Sequence, residues 1–207
     1  MDIIEEISDH HLDVLKEIGN IGAGNAATSL SQLLAQQIEM TVPSVRPIKF
    51  QEIPEAAGGA EQIVAATFLR ILGDAPGSMF FIVPEEDAAP LVASMTGMEH
   101  LTVDSELGSS ALQELGNILS GSYLSALADF TRLNLQPSPP SLAVDMAGAV
   151  VEEGLFELSL ASDHALIIDT VIYEHGTETK SRGQFFLLPD PDSFSTIFTS
   201  LGVGFHE

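Results

Sequence analysis

The chain of 207 residues contains no cysteine and few basic residues. Without cysteine it can form no disulfide, no thiolate metal site and no cysteine nucleophile. Seven basic residues against thirty acidic ones give a net charge of −23, and such a surface repels the phosphates of nucleic acids. No apolar run is long enough to span a bilayer, and the first residues lack the basic and apolar regions of a signal peptide. We therefore expect a cytoplasmic protein that binds neither nucleic acid nor membrane.

Several common site motifs are absent or lie in the wrong context. The segment Gly22-Ala23-Gly24-Asn25-Ala26-Ala27 matches the dinucleotide motif G-x-G-x-x-A, but it lies inside a helical pattern and not between a strand and a helix. Close packing of a helix on a sheet is the better explanation of these glycines. The six histidines do not show the spacing of a metal-binding helix, and no G-x-S-x-G nucleophile motif occurs. We therefore predict no nucleotide, metal or serine-hydrolase site.

Residues 12–34 show the pattern of an amphipathic helix. Asp13, Glu17 and Asn20 share one face because spacings of four and three residues bring side chains together on a helix. Ser8 or Asp9 can cap its start. The predicted apolar stripe lies nearly opposite and consists of Leu12, Leu15, Gly19, Gly22, Ala26, Leu30 and Leu33. Taken alone, the polar face fits an ordinary solvated helix.

The same pattern recurs 97 positions later, in residues 110–130. Glu17 corresponds to Glu114 and Asn20 to Asn117. Pro43 corresponds to Pro140, whereas Ser110 takes the place of Asp13. The second apolar stripe consists of Leu112, Leu115, Gly116, Leu119, Tyr123 and Phe130. A hydrophobic core requires the apolar stripe to recur, but it gives no reason for a Glu and an Asn to recur on the solvent-facing side. The repeated pair therefore indicates function.

The remaining segments repeat in the same order. We predict strands over residues 38–50, 63–72 and 78–83 in the first half, and over 133–142, 165–173 and 184–188 in the second. A helix follows Pro84 and another follows Pro189, whereas residues 51–62 are expected to form a loop. Residues 145–158 are predicted to form an additional helix without a counterpart in the first half.

These segments indicate an α+β fold. Strands joined by short turns pair antiparallel, and amphipathic helices must cover a face of the sheet. We therefore predict one domain over residues 1–207, internally duplicated and pseudo-twofold, with a largely antiparallel sheet. The two pseudo-repeats span about residues 8–97 and 105–204.

The two polar motifs resemble a known family signature. Asp13-x3-Glu17-x2-Asn20-x22-Pro43, with its second copy from Ser110 to Pro140, is similar to the doubled signature of the CheC family of chemotaxis phosphatases. The resemblance covers essentially the whole chain and implies hydrolysis of the aspartyl phosphate of a CheY-type response regulator. It also implies one shared sheet with both signature helices on the outside. The related CheX carries one signature per chain and FliY an additional flagellar-switch domain, so two copies in 207 residues favour CheC.

The resemblance also implies a role for each signature residue. An amide can both accept a hydrogen bond from water and donate one, and positioning contributes most of the catalysis of phosphoryl transfer. The receiver supplies Mg²⁺ and a lysine, so no cofactor is expected in this chain itself. The implied roles are water orientation for Asn20 and Asn117, contact with the receiver lysine for Glu17 and Glu114, and support for Asp13, Ser110, Pro43 and Pro140. The alternative is a non-catalytic adaptor that binds a receiver domain, the receptor deamidase CheD, or both.

Overall fold

The computed structural model describes residues 7–155, 164–175 and 180–204. In these ranges the chain forms six α-helices, eight β-strands and a 3₁₀ turn at Phe50–Glu52. In chain order the elements are α1 (Asp9–Leu34), β1 (Ile38–Thr41), β2 (Val45–Lys49), α2 (Ile53–Ala56), β3 (Ile63–Gly73), β4 (Gly77–Pro84), α3 (Glu85–Thr96), α4 (Glu106–Thr131), β5 (Leu135–Pro137), β6 (Ser141–Met146), α5 (Ala147–Leu155), β7 (His164–Glu174), β8 (Lys180–Pro189) and α6 (Pro191–Ser200).

All eight strands join one antiparallel sheet. The order is β1-β7-β8-β4-β3-β5, and β2 and β6 extend the two edges by pairing with β7 and β3. The two halves meet at the centre, where Phe80 of β4 lies opposite Phe186 of β8 and Phe81 lies opposite Phe185. Each half contains one hairpin, β3–β4 in the first half and β7–β8 in the second. The edge strands of each half pair with the hairpin of the other half. The predicted α+β class with an antiparallel sheet is confirmed.

Prolines without a backbone N–H lie in the breaks of both edge segments, whereas Pro47 and Pro137 lie within the edge strands β2 and β5. The segment predicted as one strand over residues 38–50 forms β1 and β2, which are separated by residues 42–44 around Pro43. In the second half, β5 and β6 are separated by residues 138–140, which include Pro140. Each break contacts the signature segment of the helix above it, through Asn20 and Val42 in the first half and through Gln113 and Pro140 in the second, so the breaks belong to the candidate site.

The sheet buries both of its faces. The larger core lies under α1 and α4, whereas a smaller core on the other face includes Ile53 of α2 and Val150 of α5. No helix in the described ranges has both the length and the apolar character that a membrane span requires.

The prediction for the second-half helix is wrong in two respects. Asp145 and Met146 end strand β6, so α5 begins only at Ala147, and residues 156–158 lie outside the described residues. The helix also has a counterpart, because α2 follows β2 as α5 follows β6, and the two helices are in contact. The supposed loop at residues 51–62 therefore contains a helix. This helix starts with a proline in its first turn and stops after four residues, before two glycines with positive φ.

The two signature helices have the same length and begin and end at equivalent positions. Both α1 and α4 have 26 residues, and their bounds differ by the same 97 positions as the motifs. Ser8 caps α1 and Ser105 caps α4. Each helix ends at a residue with a left-handed backbone conformation. The stripe is buried except for Leu12, which is half-buried at its start, and for its end, where Leu33 is 54% and Phe130 50% exposed. Placing these two in the core was wrong, because no described element covers the last turn of either helix on that side.

Two buried glycines set how closely these helices pack. A Cβ on Gly22 would lie 2.9 Å from the Cα of Tyr123, so α1 contacts α4 backbone to backbone. A Cβ on Gly116 would lie 2.5 Å from Oγ1 of Thr67, so α4 lies directly on strand β3. The expected helix–sheet packing is therefore wrong for Gly22, which packs on a helix, and for Gly24, which has no atom within 4 Å of its Cβ position.

Candidate functional site

The structure places the residues of each signature on one outward face of its helix. Glu17, Glu114 and Asn117 are exposed, whereas Asn20 is half-buried. Asp13 and Ser110 are exposed one turn earlier, and the hydroxyl of Ser110 donates to the carbonyl of Glu106 within the same helix. Because these residues follow one another at spacings of four and three, the helix alone brings them together. The resulting surface carries a carboxylate and an amide side by side, twice.

The amide of Asn20 is occupied by backbone groups. Its Nδ2 donates to the carbonyl of Lys16 at 3.0 Å and to that of Val42 at 3.5 Å. Its Oδ1 accepts from the backbone N–H of Val42 at 3.0 Å. Val42 is buried and directly precedes Pro43 in the break between β1 and β2. Asn20 therefore fastens α1 to the edge of the sheet, and one lone pair of its oxygen stays unused.

Asn117 cannot make the corresponding bond. The position that matches Val42 is Pro139, which has no backbone N–H to donate. The connection to the sheet is made instead by Gln113, the counterpart of Lys16, whose Nε2 donates to the carbonyl of Pro140 at 2.8 Å. In the described part of the chain the exposed amide of Asn117 has no hydrogen-bond partner. Sequence analysis missed Val42, Pro139 and Gln113, although the replacement of valine by proline in the second repeat was a visible signal.

The signature prolines lie at the breaks in the sheet edges. Pro43 is exposed and follows Val42, whereas Pro140 is half-buried and accepts the bond from Gln113 through its carbonyl. Each proline therefore lies where the edge of the sheet approaches the signature helix, and not inside a strand.

The charges around the two glutamates are unequal. Helix α1 carries one basic residue, Lys16, whereas α4 carries none between Glu106 and Thr131. Among the described residues neither Glu17 nor Glu114 takes part in a salt bridge. A salt bridge that the described residues do form joins Arg70 of β3 to Asp190 at 2.9 Å. Both carboxylates can therefore accept an external cation. In the same ranges no group of three or more histidines, aspartates or glutamates is placed to hold a metal ion.

Tyr123 holds α4 in place beneath the site. Its ring contacts that of Phe185 at 4.4 Å between centroids, and its hydroxyl hydrogen-bonds the hydroxyl of Thr170 at 3.1 Å. Burial raises the pKa of Tyr123 to about 12, and the bond to Thr170 lowers it in part. The phenol therefore stays neutral well above physiological pH and fixes α4 against both β7 and β8.

Open grooves adjoin both signature helices in the described part of the chain. One of about 520 Å³ lies between α1 and α4, and its lining includes Asn117, Gly121 and Ser125 of α4 with Asn25 and Ser29 of α1. Another, of about 600 Å³, lies between the second half of α1 and strand β1, and its lining includes Gly24. The free amide of Asn117 thus borders a depression that is large enough to receive part of a partner.

Comparison with known proteins identifies the family. The model of the CheC-like family matches residues 11–46 and 107–144, the ranges that contain the two signatures. A relative that matches 98% of this chain is 44% identical over 207 residues, so the chain belongs to the CheC-like family. That relative is the CheY-P phosphatase CheC of Bacillus subtilis (strain 168), of which 99% is matched.

Two further comparisons concern FliY proteins. The flagellar motor switch phosphatase FliY of B. subtilis (strain 168) is 32% identical over 154 residues, which are 73% of this chain but 39% of FliY. The crystal structure of Thermotoga maritima FliY superposes with a TM-score of 0.73 at 20% identity, over 95% of this chain and 98% of that one. At that identity the superposition shows the shared fold. The predicted resemblance to the CheC family is confirmed.

Proposed function

We propose that this protein is a chemotaxis phosphatase that hydrolyses the aspartyl phosphate of a CheY-type response regulator. The observation that carries the proposal is the outward face of Glu and Asn, which the structure presents on both signature helices. The CheY-P phosphatase name of the relative that is 44% identical supports the same substrate. In this proposal the substrate is a folded receiver domain, which suits an exposed convex helix better than it suits a deep pocket.

Each helix contributes two groups to the reaction. The receiver holds Mg²⁺ and a lysine beside its aspartyl phosphate, so what the partner must add is a water molecule in line with the phosphorus. The amide of Asn117 accepts a hydrogen bond from that water through Oδ1 and directs its lone pair at the phosphorus. Glu114 pairs with the receiver lysine and fixes the orientation of docking. Asn20 and Glu17 have the same roles on α1.

The remaining predicted residues support these groups. Asp13 and Ser110 extend each polar face by one turn, and Pro43 and Pro140 shape the edge of the sheet that the helix contacts. We regard the chain as a single cytoplasmic domain made of two pseudo-repeats. CheD stays a second candidate partner on the family resemblance alone.

The decay of a phosphorylated, Mg²⁺-loaded CheY-type receiver tests the proposal. We expect the protein to accelerate this decay, and Asn20→Ala and Asn117→Ala each to leave part of the activity. The double variant should lose on the order of 10²-fold, as expected when a positioning group is removed from both sites. Gln51→Ala is the matched control, because Gln51 is an exposed amide in the turn at Phe50–Glu52, beside the smaller core on the other face of the sheet.

Three outcomes would contradict the proposal. One is full activity of the double variant, and another is hydrolysis of p-nitrophenyl phosphate at a comparable rate without any receiver. The third is binding of the receiver without faster decay, which would establish the adaptor alternative.

A further inference from the structure

Gly24 and Gly121 occupy equivalent positions, 97 residues apart, in the middle of α1 and α4. Glycine weakens a helix interior relative to alanine, so its presence requires a reason. For Gly22 and Gly116 the reason is internal, because a Cβ would meet Tyr123 or Thr67. At Gly24 and Gly121, apart from the adjacent residues and the helix's own backbone, a Cβ would meet no atom of the described chain within 4 Å. The fold itself therefore does not require glycine at either position.

Both glycines lie on the proposed catalytic face. Gly121 follows Asn117 by four residues and Glu114 by seven, a spacing that keeps all three on one side of the helix. Asn117 and Gly121 border the same groove of about 520 Å³ between α1 and α4. Gly24 follows Asn20 in the same way and borders the groove between α1 and β1. In both repeats one helix residue without a side chain thus lies one turn beyond the asparagine and borders an open groove.

We propose that Gly24 and Gly121 are docking residues, at which the receiver domain approaches the helix backbone more closely than a side chain would allow. This inference rests on the proposed function and adds a third position to each site. Glycine is the residue that permits close approach to a backbone. A Cβ at this point would lift the receiver away from the helix and move its phosphate away from the water held by Asn117. Small displacements of this kind are costly when catalysis depends on positioning.

The test substitutes alanine at one glycine in a protein with one working site. In the Asn20→Ala background, where α4 carries the remaining activity, Gly121→Ala should raise the melting temperature. The same change should lower kcat/KM for the phosphorylated, Mg²⁺-loaded receiver on the order of tenfold, the scale of a steric mismatch of about one methyl group. Gly24→Ala in the Asn117→Ala background is the symmetric experiment.

Asp129→Ala is the matched control. Asp129 is exposed on α4, two turns beyond Gly121, and its replacement also favours the helix because an acidic residue near a helix C-terminus is unfavourable. A gain in stability without loss of activity in this variant would assign the loss in Gly121→Ala to the docking surface. Equal losses in the two variants would overturn the inference, because helix stiffness alone would then explain them.

The remaining outcomes are equally decisive. A raised melting temperature with unchanged kcat/KM, or a lowered melting temperature, would overturn the inference. If the unmodified protein does not accelerate receiver decay at all, the proposed function fails. If it does and both glycine variants keep full activity, only the docking role fails.

Discussion

At the scale of single residues, one backbone N–H distinguishes the two copies of the signature. Val42 offers its N–H to Asn20, and the matching Pro139 has none to offer to Asn117. The repeat pattern made the two asparagines predictable, since no core requirement explains them. Their different surroundings could not be predicted from the motif, because the partner residue lies outside the signature and depends on how the sheet edge approaches the helix.

We expect the two asparagines to differ in both activity and stability. Asn117→Ala should reduce receiver dephosphorylation more than Asn20→Ala, because the amide of Asn20 is already bonded to the backbone of Val42 and keeps a single lone pair to orient water, whereas the amide of Asn117 is free among the described residues. Asn20→Ala should lower the free energy of unfolding by about 1 kcal/mol, because the buried Val42 N–H loses its acceptor. Asn117→Ala should change that free energy by less than about 0.5 kcal/mol. Phosphate-release rates and urea unfolding measure the two effects, and a larger activity loss in Asn20→Ala would refute this assignment.

At the scale of helices and strands, periodicity predicted the long elements and missed the short or terminal features. The 26-residue helices and the β3–β4 hairpin repeat their patterns often enough to be recognised. Helix α2 has four residues and so completes barely one turn, which leaves no period to detect. Leu33 and Phe130 follow the helical period, yet both side chains are about half exposed, which the helix's own sequence does not reveal.

The glycines Gly19 and Gly116 test how differently the two helices rest on the sheet. They are equivalent positions, but a Cβ on Gly19 would touch Val42 at an ordinary 3.5 Å, whereas one on Gly116 would approach Thr67 at 2.5 Å. Gly116→Ala should therefore lower the free energy of unfolding by about 1–3 kcal/mol through overpacking. Gly19→Ala should leave it unchanged or raise it, since alanine favours a helix. Chemical denaturation of both variants checks this, and equal effects would mean that α1 and α4 lie equally close to their supports.

At the scale of the whole molecule, the halves exchange their edge strands. Strands β1 and β2 pair with β7 of the second half, and β5 and β6 pair with β3 of the first. The sequence indicated the duplication and the antiparallel pairing, because both leave local patterns. The strand order has no local pattern, since it depends on which hairpin each edge strand meets after the two halves join at β4 and β8. Through this exchange, each signature helix lies over a sheet edge that both halves build.

Tyr123 lies where α1, α4 and the sheet meet, and it links global stability to alkaline pH. Its folded pKa of about 12 exceeds the ordinary value of 10.0, so the unfolded chain loses this proton at a lower pH than the folded protein does. The contribution of the neutral phenol is therefore complete below pH 10 and is lost as the pH rises towards 12. A shift of this size corresponds to about 2–3 kcal/mol.

Tyr123→Phe isolates this contribution, because phenylalanine keeps the ring packing and removes the ionising group. At neutral pH the variant should be less stable by about 1 kcal/mol, because the buried hydrogen bond between Tyr123 and Thr170 is lost. Between pH 10 and 12 the unmodified protein should lose more stability than the variant, so the difference between their unfolding free energies should shrink and then reverse. Urea unfolding across this range measures the difference, and the groups common to both proteins cancel in the comparison. Parallel curves would contradict the raised pKa of Tyr123 in the folded protein.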